Sequence, residues 1–142
     1  MWNRGARTLA VALLLTGCVV QSTPTAAPTA PPSAQPAEPG SHDCGTLLLR
    51  QGQTVPTDAL RCVVEAADNR QQARLVVTQP TTEGDPITTT YAVLGDGRVE
   101  VTTDARADRF GSGRVERQTC TGPSIEDGSR LSFATCVSGA PV

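Results

Sequence analysis

Two pairs of closely spaced carboxylates are the side chains of this sequence that could perform acid–base chemistry. Glu83 precedes Asp85 by two residues, and Asp104 precedes Asp108 by four. Two carboxyl groups that flank one bond act as acid and as nucleophile or base in glycoside hydrolysis. Both pairs lie in segments that also contain glycine, however, and in such segments carboxylates commonly stabilise turns. We therefore predict turn residues and no enzyme, with a hydrolase that uses paired carboxylates as the alternative.

Other catalytic arrangements lack the side chains that they require. All 12 basic residues are arginines, so no lysine can form a Schiff base or act as a base. The single histidine, His42, precedes the predicted domain, which excludes a Ser-His-Asp or Cys-His site inside it. Trp2 is the only tryptophan and lies in a segment that we predict to be removed. The domain then has no indole ring on which sugars or bases could stack.

The N-terminal segment has the pattern of a lipoprotein leader. Two arginines precede an apolar run at 9–15, as in a signal peptide. This run is much shorter than the roughly 20 apolar residues that span a bilayer. Residues 15–18, Leu-Thr-Gly-Cys, have the aliphatic, small, small, cysteine order of a lipobox. We predict that residues 1–17 are a lipoprotein signal peptide and that Cys18 carries a thioether-linked diacylglyceryl group, with palmitate as a typical acyl chain.

Residues 18–43 have the composition of a tether. They are rich in proline, alanine and threonine, with prolines at positions 24, 28, 31, 32, 36 and 39. Such segments favour extended polyproline II structure. Since two or more acyl chains hold a protein stably on a membrane, we expect an exported protein anchored through Cys18 to the extracytoplasmic face of the cell membrane. Without the leader the chain has ten arginines and 14 acidic residues, a formal charge of −4, which does not favour nucleic acid as a partner.

The four remaining cysteines, at positions 44, 62, 120 and 136, favour disulfides over metal binding. Export places the chain in an oxidising compartment. Three pairings are formally possible. We favour Cys44 with Cys62 and Cys120 with Cys136, because each bond closes a loop of about 15 to 20 residues and contributes about 3 kcal/mol. No Cys-x-x-Cys pair is present to form a zinc site, and we predict neither a metal nor a cofactor.

The segment 44–142 is predicted to form one small α+β domain. Apolar residues recur at helical spacing over 56–69, while charged residues occupy the opposite face. Segments rich in valine, threonine and isoleucine follow and predict strands, in addition to one short strand before the helix. The predicted strands are 46–49, 73–79, 87–94, 98–103, 114–121 and 130–137. Short connections after the helix favour antiparallel pairing, so we expect one amphipathic helix on a mainly antiparallel sheet of five to six strands.

A series of short motifs between residues 73 and 137 carries a resemblance to a known family. In chain order the motifs are Thr82-Glu83-Gly84-Asp85-Pro86-Ile87, Tyr91, Thr103-Asp104, Asp108-Arg109-Phe110-Gly111, Thr119-Cys120 and Cys136. The series resembles domain of unknown function family 4362, which comprises small exported bacterial proteins, many of them lipoproteins, with no established activity. The resemblance implies a fold unit and names no catalytic residue. Cys44 and Cys62 lie outside it.

Strand direction predicts where the motif-bearing loops meet. The turn at 80–86 precedes one strand of a hairpin and the loop at 104–113 follows the other, so both lie at the same end of an antiparallel pair. The turn at Gly95 and the connection at 122–128 are expected at the opposite end. The charged residues of the two loops form the predicted binding rim, which consists of Glu83, Asp85, Asp104, Arg106, Asp108 and Arg109.

We expect Asp85 and Asp108 to stabilise turns and Phe110 to fold back onto the core. On this interpretation, replacing either aspartate with alanine lowers stability. Replacing Arg106 or Arg109 leaves melting nearly unchanged and weakens partner binding. A calcium site formed by the rim carboxylates is less favoured, because the arginines lie beside them. The sequence thus predicts a non-catalytic envelope module that binds an envelope protein or peptide, with a hydrolase or an inhibitor or sensor module as alternatives.

Overall fold

The computed structural model describes residues 40–139. The predicted signal peptide, the predicted lipidation site Cys18 and residues 19–39 of the predicted tether lie outside the described residues. Between residues 40 and 139, no helix combines the length and the apolar character needed to span a membrane.

The described part of the chain is a six-stranded sheet with one helix packed on it. In chain order the elements are β1 (His42–Leu48), α1 (Thr57–Asp68), β2 (Ala73–Pro80), β3 (Pro86–Val93), β4 (Val99–Asp104), β5 (Val115–Glu126) and β6 (Arg130–Ser138). The spatial order of the strands is the same as their order in the chain. The predicted fold class is confirmed.

Pairing direction follows from the length of each connection. β1 and β2 are parallel, and α1 lies in the crossover between them. A parallel pair needs such a crossover of a dozen residues or more, whereas antiparallel neighbours can be joined by a short turn. The later pairs, from β2–β3 to β5–β6, are all antiparallel. β1 also begins earlier than predicted, since His42 and Asp43 of the predicted tether pair with β2.

Helix α1 forms where the amphipathic pattern predicts it. Its buried residues are Leu60, Val63, Ala66 and Ala67, which follow one another at three- and four-residue spacing. Pro56 immediately precedes the first helical residue with φ −59°, and its carbonyl accepts hydrogen bonds from the first turn. Proline suits this position because the first N–H groups of a helix have no partner within the helix, so its missing N–H costs no helical hydrogen bond.

The core lies between this helical stripe and one face of the sheet. Alternate residues of β2, namely Ala73, Leu75 and Val77, are buried there with Val93 and Val99 from the next two strands. Pairing places Val93 opposite both Ala73 and Val99, so the three side chains lie side by side on the face that α1 covers. Full burial of a leucine or valine side chain contributes about 1.5 to 3 kcal/mol, so this layer is the main source of stability.

The hairpin β5–β6 differs from the prediction in its length and in the position of its turn. Strand β5 runs to Glu126, whereas the sequence predicted its end at 121 and a connection at 122–128. Gly122 has φ +61°. Before this glycine the even-numbered Cys120 is buried, whereas after it the odd-numbered Ile125 packs against the core. The tip lies at the start of α1, where the Gly128 carbonyl accepts a 2.6 Å hydrogen bond from the Thr57 hydroxyl. The Gly95 turn lies instead beside Arg70 and Gln72, which follow the end of α1, so the two turns are not neighbours as predicted.

Both favoured disulfides are present. Cys44–Cys62 joins edge strand β1 to α1. Cys120–Cys136 joins two residues that lie directly opposite each other on β5 and β6. The first bond therefore holds the helix to the sheet, and the second holds the last strand to its neighbour.

Candidate functional site

The turn at 80–86 and the loop at 104–113 lie at the same end of the sheet, as strand direction predicts. Pro80 pairs with Pro86 at the end of the β2–β3 hairpin, and Thr88 pairs with Asp104 where β4 ends. A hydrogen bond of 3.0 Å from the Arg109 Nε to the Asp85 Oδ1 connects the two segments directly. β1 begins at the other end of the sheet, where His42 pairs with Ala73. The rim is therefore remote from the point at which the preceding chain enters the domain.

Asp85 is the centre of this contact. Its carboxylate accepts hydrogen bonds from the Arg109 backbone N–H at 3.2 Å and from the guanidinium, whose Nη2 lies 3.0 Å from Oδ1. The Asp85 side chain is 10% exposed and that of Arg109 is 74% exposed. These hydrogen bonds hold the pKa of Asp85 below its ordinary value. Asp85 is thus a fixed, ionised anchor for the loop, and Arg109 extends from it into solvent.

The turn that carries Asp85 is held by its own backbone. Thr81 and Asp85 are joined by a 2.8 Å bond from the Thr81 N–H to the Asp85 carbonyl and by a 3.2 Å bond from the Asp85 N–H to the Thr81 hydroxyl. Gly84 has φ +91° inside this turn. Glu83 is exposed and makes no hydrogen bond or ion pair within the described residues.

Asp104 and Arg106 form a second, local ion pair. The guanidinium donates to both carboxylate oxygens, at 2.9 Å from Nε to Oδ1 and at 2.6 Å from Nη2 to Oδ2. The Arg106 backbone N–H also donates to Oδ1 at 3.1 Å. These contacts lower the pKa of Asp104, with the side-chain hydrogen bonds from Arg106 as the largest cause. The pair closes the bend at the end of β4 and leaves the arginine exposed, and an exposed ion pair of this kind contributes at most about 1 kcal/mol to stability.

Asp108 stabilises a turn, as expected. Its Oδ1 accepts the backbone N–H groups of Phe110 at 2.9 Å and Gly111 at 3.0 Å. A Cβ added at Gly111 would lie 2.7 Å from the Asp108 Cγ. Any residue other than glycine at this position would therefore displace the Asp108 side chain. Asp85 therefore restrains the loop at Arg109, and Asp108 restrains it at Phe110 and Gly111.

The expectation that Phe110 packs on the core is wrong. Its side chain is 75% exposed, and the Arg109 guanidinium carbon lies 6.0 Å from its ring centroid. The turn held by Asp108 directs the ring away from the sheet. The apolar core is completed instead by Phe133, whose ring centroid lies 6.5 Å from that of Tyr91.

Contact with Asp85 also changes the expected role of Arg109. The sequence assigned the aspartate to stability and the arginine to partner binding, but the two groups are each other's partner. Removing the guanidinium would leave a largely buried carboxylate without its counterion. We therefore expect Arg109→Ala to lower the melting temperature. Arg106, in the rim, and Phe110, which follows Arg109 in the same loop, can be changed without loss of a buried contact.

The geometry does not favour acid–base chemistry at the rim. A general acid needs a carboxyl group whose pKa is raised, whereas hydrogen bonds from arginines lower the pKa of both Asp85 and Asp104. Among residues 40–139 there is no group of three or more His, Cys, Asp or Glu side chains that could hold a metal ion. The arrangement instead presents two exposed guanidinium groups and one exposed phenyl ring on a restrained loop.

Sequence reasoning missed the contribution of the connection that follows β1. The Gln51 side chain donates a 3.2 Å hydrogen bond to the Thr82 carbonyl in the rim turn. Leu48, the last residue of β1, is 81% exposed. Its pairing partner Thr78 lies two residues from the start of the rim turn. No motif in the sequence relates residues 48–51 to residue 82, because only the parallel pairing of β1 brings them together.

Comparison with protein-family models, with curated proteins and with solved structures found no match for this chain. The resemblance of residues 73–137 to domain of unknown function family 4362 stays a prediction.

Proposed function

We propose that this chain is an exported, lipid-anchored binding module whose rim contacts an envelope protein or peptide. The observation that carries the proposal is the exposed pair Arg109 and Phe110 on a loop restrained by Asp85 and Asp108. Arginine and aromatic side chains are enriched among the residues that dominate binding energy at protein interfaces. A restrained loop also loses less conformational freedom when a partner binds.

Position supports the same proposal. The preceding chain enters the domain at the sheet end opposite the rim. If Cys18 anchors the protein through the predicted tether, the rim lies at the end of the sheet away from the point where that tether joins the domain. A mixed charge and an exposed ring fit a protein or peptide surface with carboxylates and an apolar recess.

Affinity capture from envelope extract, with the full chain as bait, tests this function. Phe110→Ala removes the exposed ring while leaving the core intact, and Arg106→Ala removes an exposed guanidinium. We expect both changes to weaken capture of the same partner at least several-fold, with the melting temperature close to that of the wild type. Glu65→Ala is the control, because Glu65 is exposed on α1, outside the rim. Equal capture by wild type, Phe110→Ala and Arg106→Ala would exclude the rim as the binding surface.

A further inference from the structure

The outer edge of β6 is an unpaired strand edge. Among residues 40–139, β6 pairs only with β5 and ends the sheet. Residues 134–138 of this strand are all exposed. The Cys120–Cys136 disulfide holds the strand to β5. The edge is therefore a fixed, extended backbone that is open to solvent on its outer side.

Register shows which backbone groups point outward. The Gly139 N–H donates to the Arg117 carbonyl at 2.8 Å, so these opposite residues form a hydrogen-bonded pair. Such pairs alternate along an antiparallel ladder. The odd-numbered residues of β6 therefore bond to β5. The N–H and C=O groups of Ala134, Cys136 and Ser138 face outward, and each of these groups can bond to another extended chain.

The two edges of the sheet differ in how they are protected. β1 has a register shift between Asp43 and Gly45, where Gly45 has φ +115° and its N–H bonds to the Asp43 side chain. A bulge of this kind makes an edge a poor template for a further strand. β6 has no register shift, no proline and no charged residue after Arg130. Only β6 has the features of an edge to which a strand can add.

We propose that a second copy of this chain pairs with β6 through its own β6, antiparallel and related by a two-fold axis near Cys136. In this register Ala134 lies opposite Ser138 of the second copy, so the outward-facing N–H and C=O groups of one strand can bond to those of the other. Thr135 lies opposite the second copy's Val137, which places two β-branched side chains together on one face. No like charges meet, because residues 131–142 contain no Asp, Glu, Lys, Arg or His. The result is a continuous sheet across the dimer.

The predicted tether is a poor alternative occupant. Its six prolines between residues 24 and 39 lack the N–H groups that a ladder requires. The interface between two short strand edges is smaller than the roughly 800 Å² per partner of a standard stable complex. Pairing is therefore reversible in dilute solution. It is favoured where the copies are concentrated, as on a membrane surface.

Hydrogen exchange at two protein concentrations tests the pairing on the full chain in detergent, with micelles in excess. We expect the outward-facing amides of Ala134, Cys136 and Ser138 to exchange at least several-fold more slowly at the higher concentration, and the amides of β1 to show no such dependence. Ala134→Pro removes one outward N–H and should abolish the dependence. Val137→Lys, the second variant, introduces like charges at the pairing and should weaken it, with partial recovery at high salt. Thr46→Lys on β1 is the control and should behave as the wild type.

Three results would overturn this inference. One is exchange of the outward-facing amides of Ala134, Cys136 and Ser138 that does not change with concentration. Another is a dependence that persists in Val137→Lys and in folded Ala134→Pro, as judged by circular dichroism. The third is a chain that stays monomeric while an extended peptide from another protein protects the same amides, since the edge would then accept a foreign strand. None of these results bears on the rim, so the two proposals can fail separately.

Discussion

Removal of either disulfide should destabilise the domain by about 3 kcal/mol. The bonds join residues separated by 18 and 16 positions, Cys44 with Cys62 and Cys120 with Cys136. For loops of this length the chain-entropy estimate is about 3 kcal/mol at 25 °C for each bond. A domain of about 100 residues has a typical stability of about 5 to 15 kcal/mol. Loss of one bond should therefore leave a folded protein, and loss of both should bring it close to unfolding.

Burial predicts a difference between the two bonds. Cys120 is 1% exposed, whereas Cys44 and Cys62 are each half-buried. Replacing Cys120 with alanine removes one buried heavy atom and leaves a small gap beneath β5. The loss of one such atom lowers the free energy of unfolding by about 1 kcal/mol. The variant Cys120→Ala/Cys136→Ala should therefore be the less stable of the two double variants, by about 1 kcal/mol.

Guanidinium unfolding followed by circular dichroism measures these differences directly. The guanidinium concentration at the unfolding midpoint should fall in both double variants, and further in Cys120→Ala/Cys136→Ala. The dependence of the unfolding free energy on guanidinium concentration should rise only slightly, because the unfolded chain is more expanded without the bond. The variant Cys44→Ala/Cys62→Ala is the internal control for loop entropy. A loss below about 1 kcal/mol in either variant, or the reverse order of the two, would refute this reasoning.

Three further predictions concern lipidation and the rim. Cys18→Ala should leave an unprocessed or soluble precursor that takes up no labelled fatty acid, and mature, labelled protein from this variant would exclude a lipobox at 15–18. Because hydrogen bonds from a neighbouring arginine lower the pKa of Asp85, its ionised form stabilises the fold above the unfolded value near 3.8, and this contribution is lost as the pH falls through the lower folded value. Between about pH 5 and pH 2, the melting temperature should therefore fall more steeply for the wild type than for Asp85→Asn. An equal dependence of the melting temperature on pH in the two proteins would contradict this assignment. Gly111→Ala should destabilise the protein by about 1 kcal/mol through contact with the Asp108 side chain, whereas the neighbouring exposed change Ser112→Ala should melt as the wild type.

Local patterns were sufficient to predict most of the fold. The spacing of Leu60, Val63 and Ala67 identified α1 within one residue at each end. Loop length favoured the disulfide pairing that the structure contains. At the rim, strand direction was enough to place Asp85 near Arg109. Each of these properties depends on residues close in the chain or on the direction of one hairpin, so the sequence carries it directly.

The sequence by itself determined the helix, the succession of strands along the chain, the favoured cysteine pairing and the turn-forming roles of Asp85 and Asp108, because these follow from short-range spacing. Only the tertiary structure decided which side chains the turns expose and which they bury. The exposure of Phe110, the pairing of Arg109 with Asp85 and the extension of β5 to Glu126 all depend on contacts between distant segments. A period-two pattern also does not predict the change at Gly122, where burial moves from even-numbered to odd-numbered residues of β5. Gly122 has positive φ, which interrupts the regular alternation of the strand. Phe133 on the partner strand β6 packs against the core.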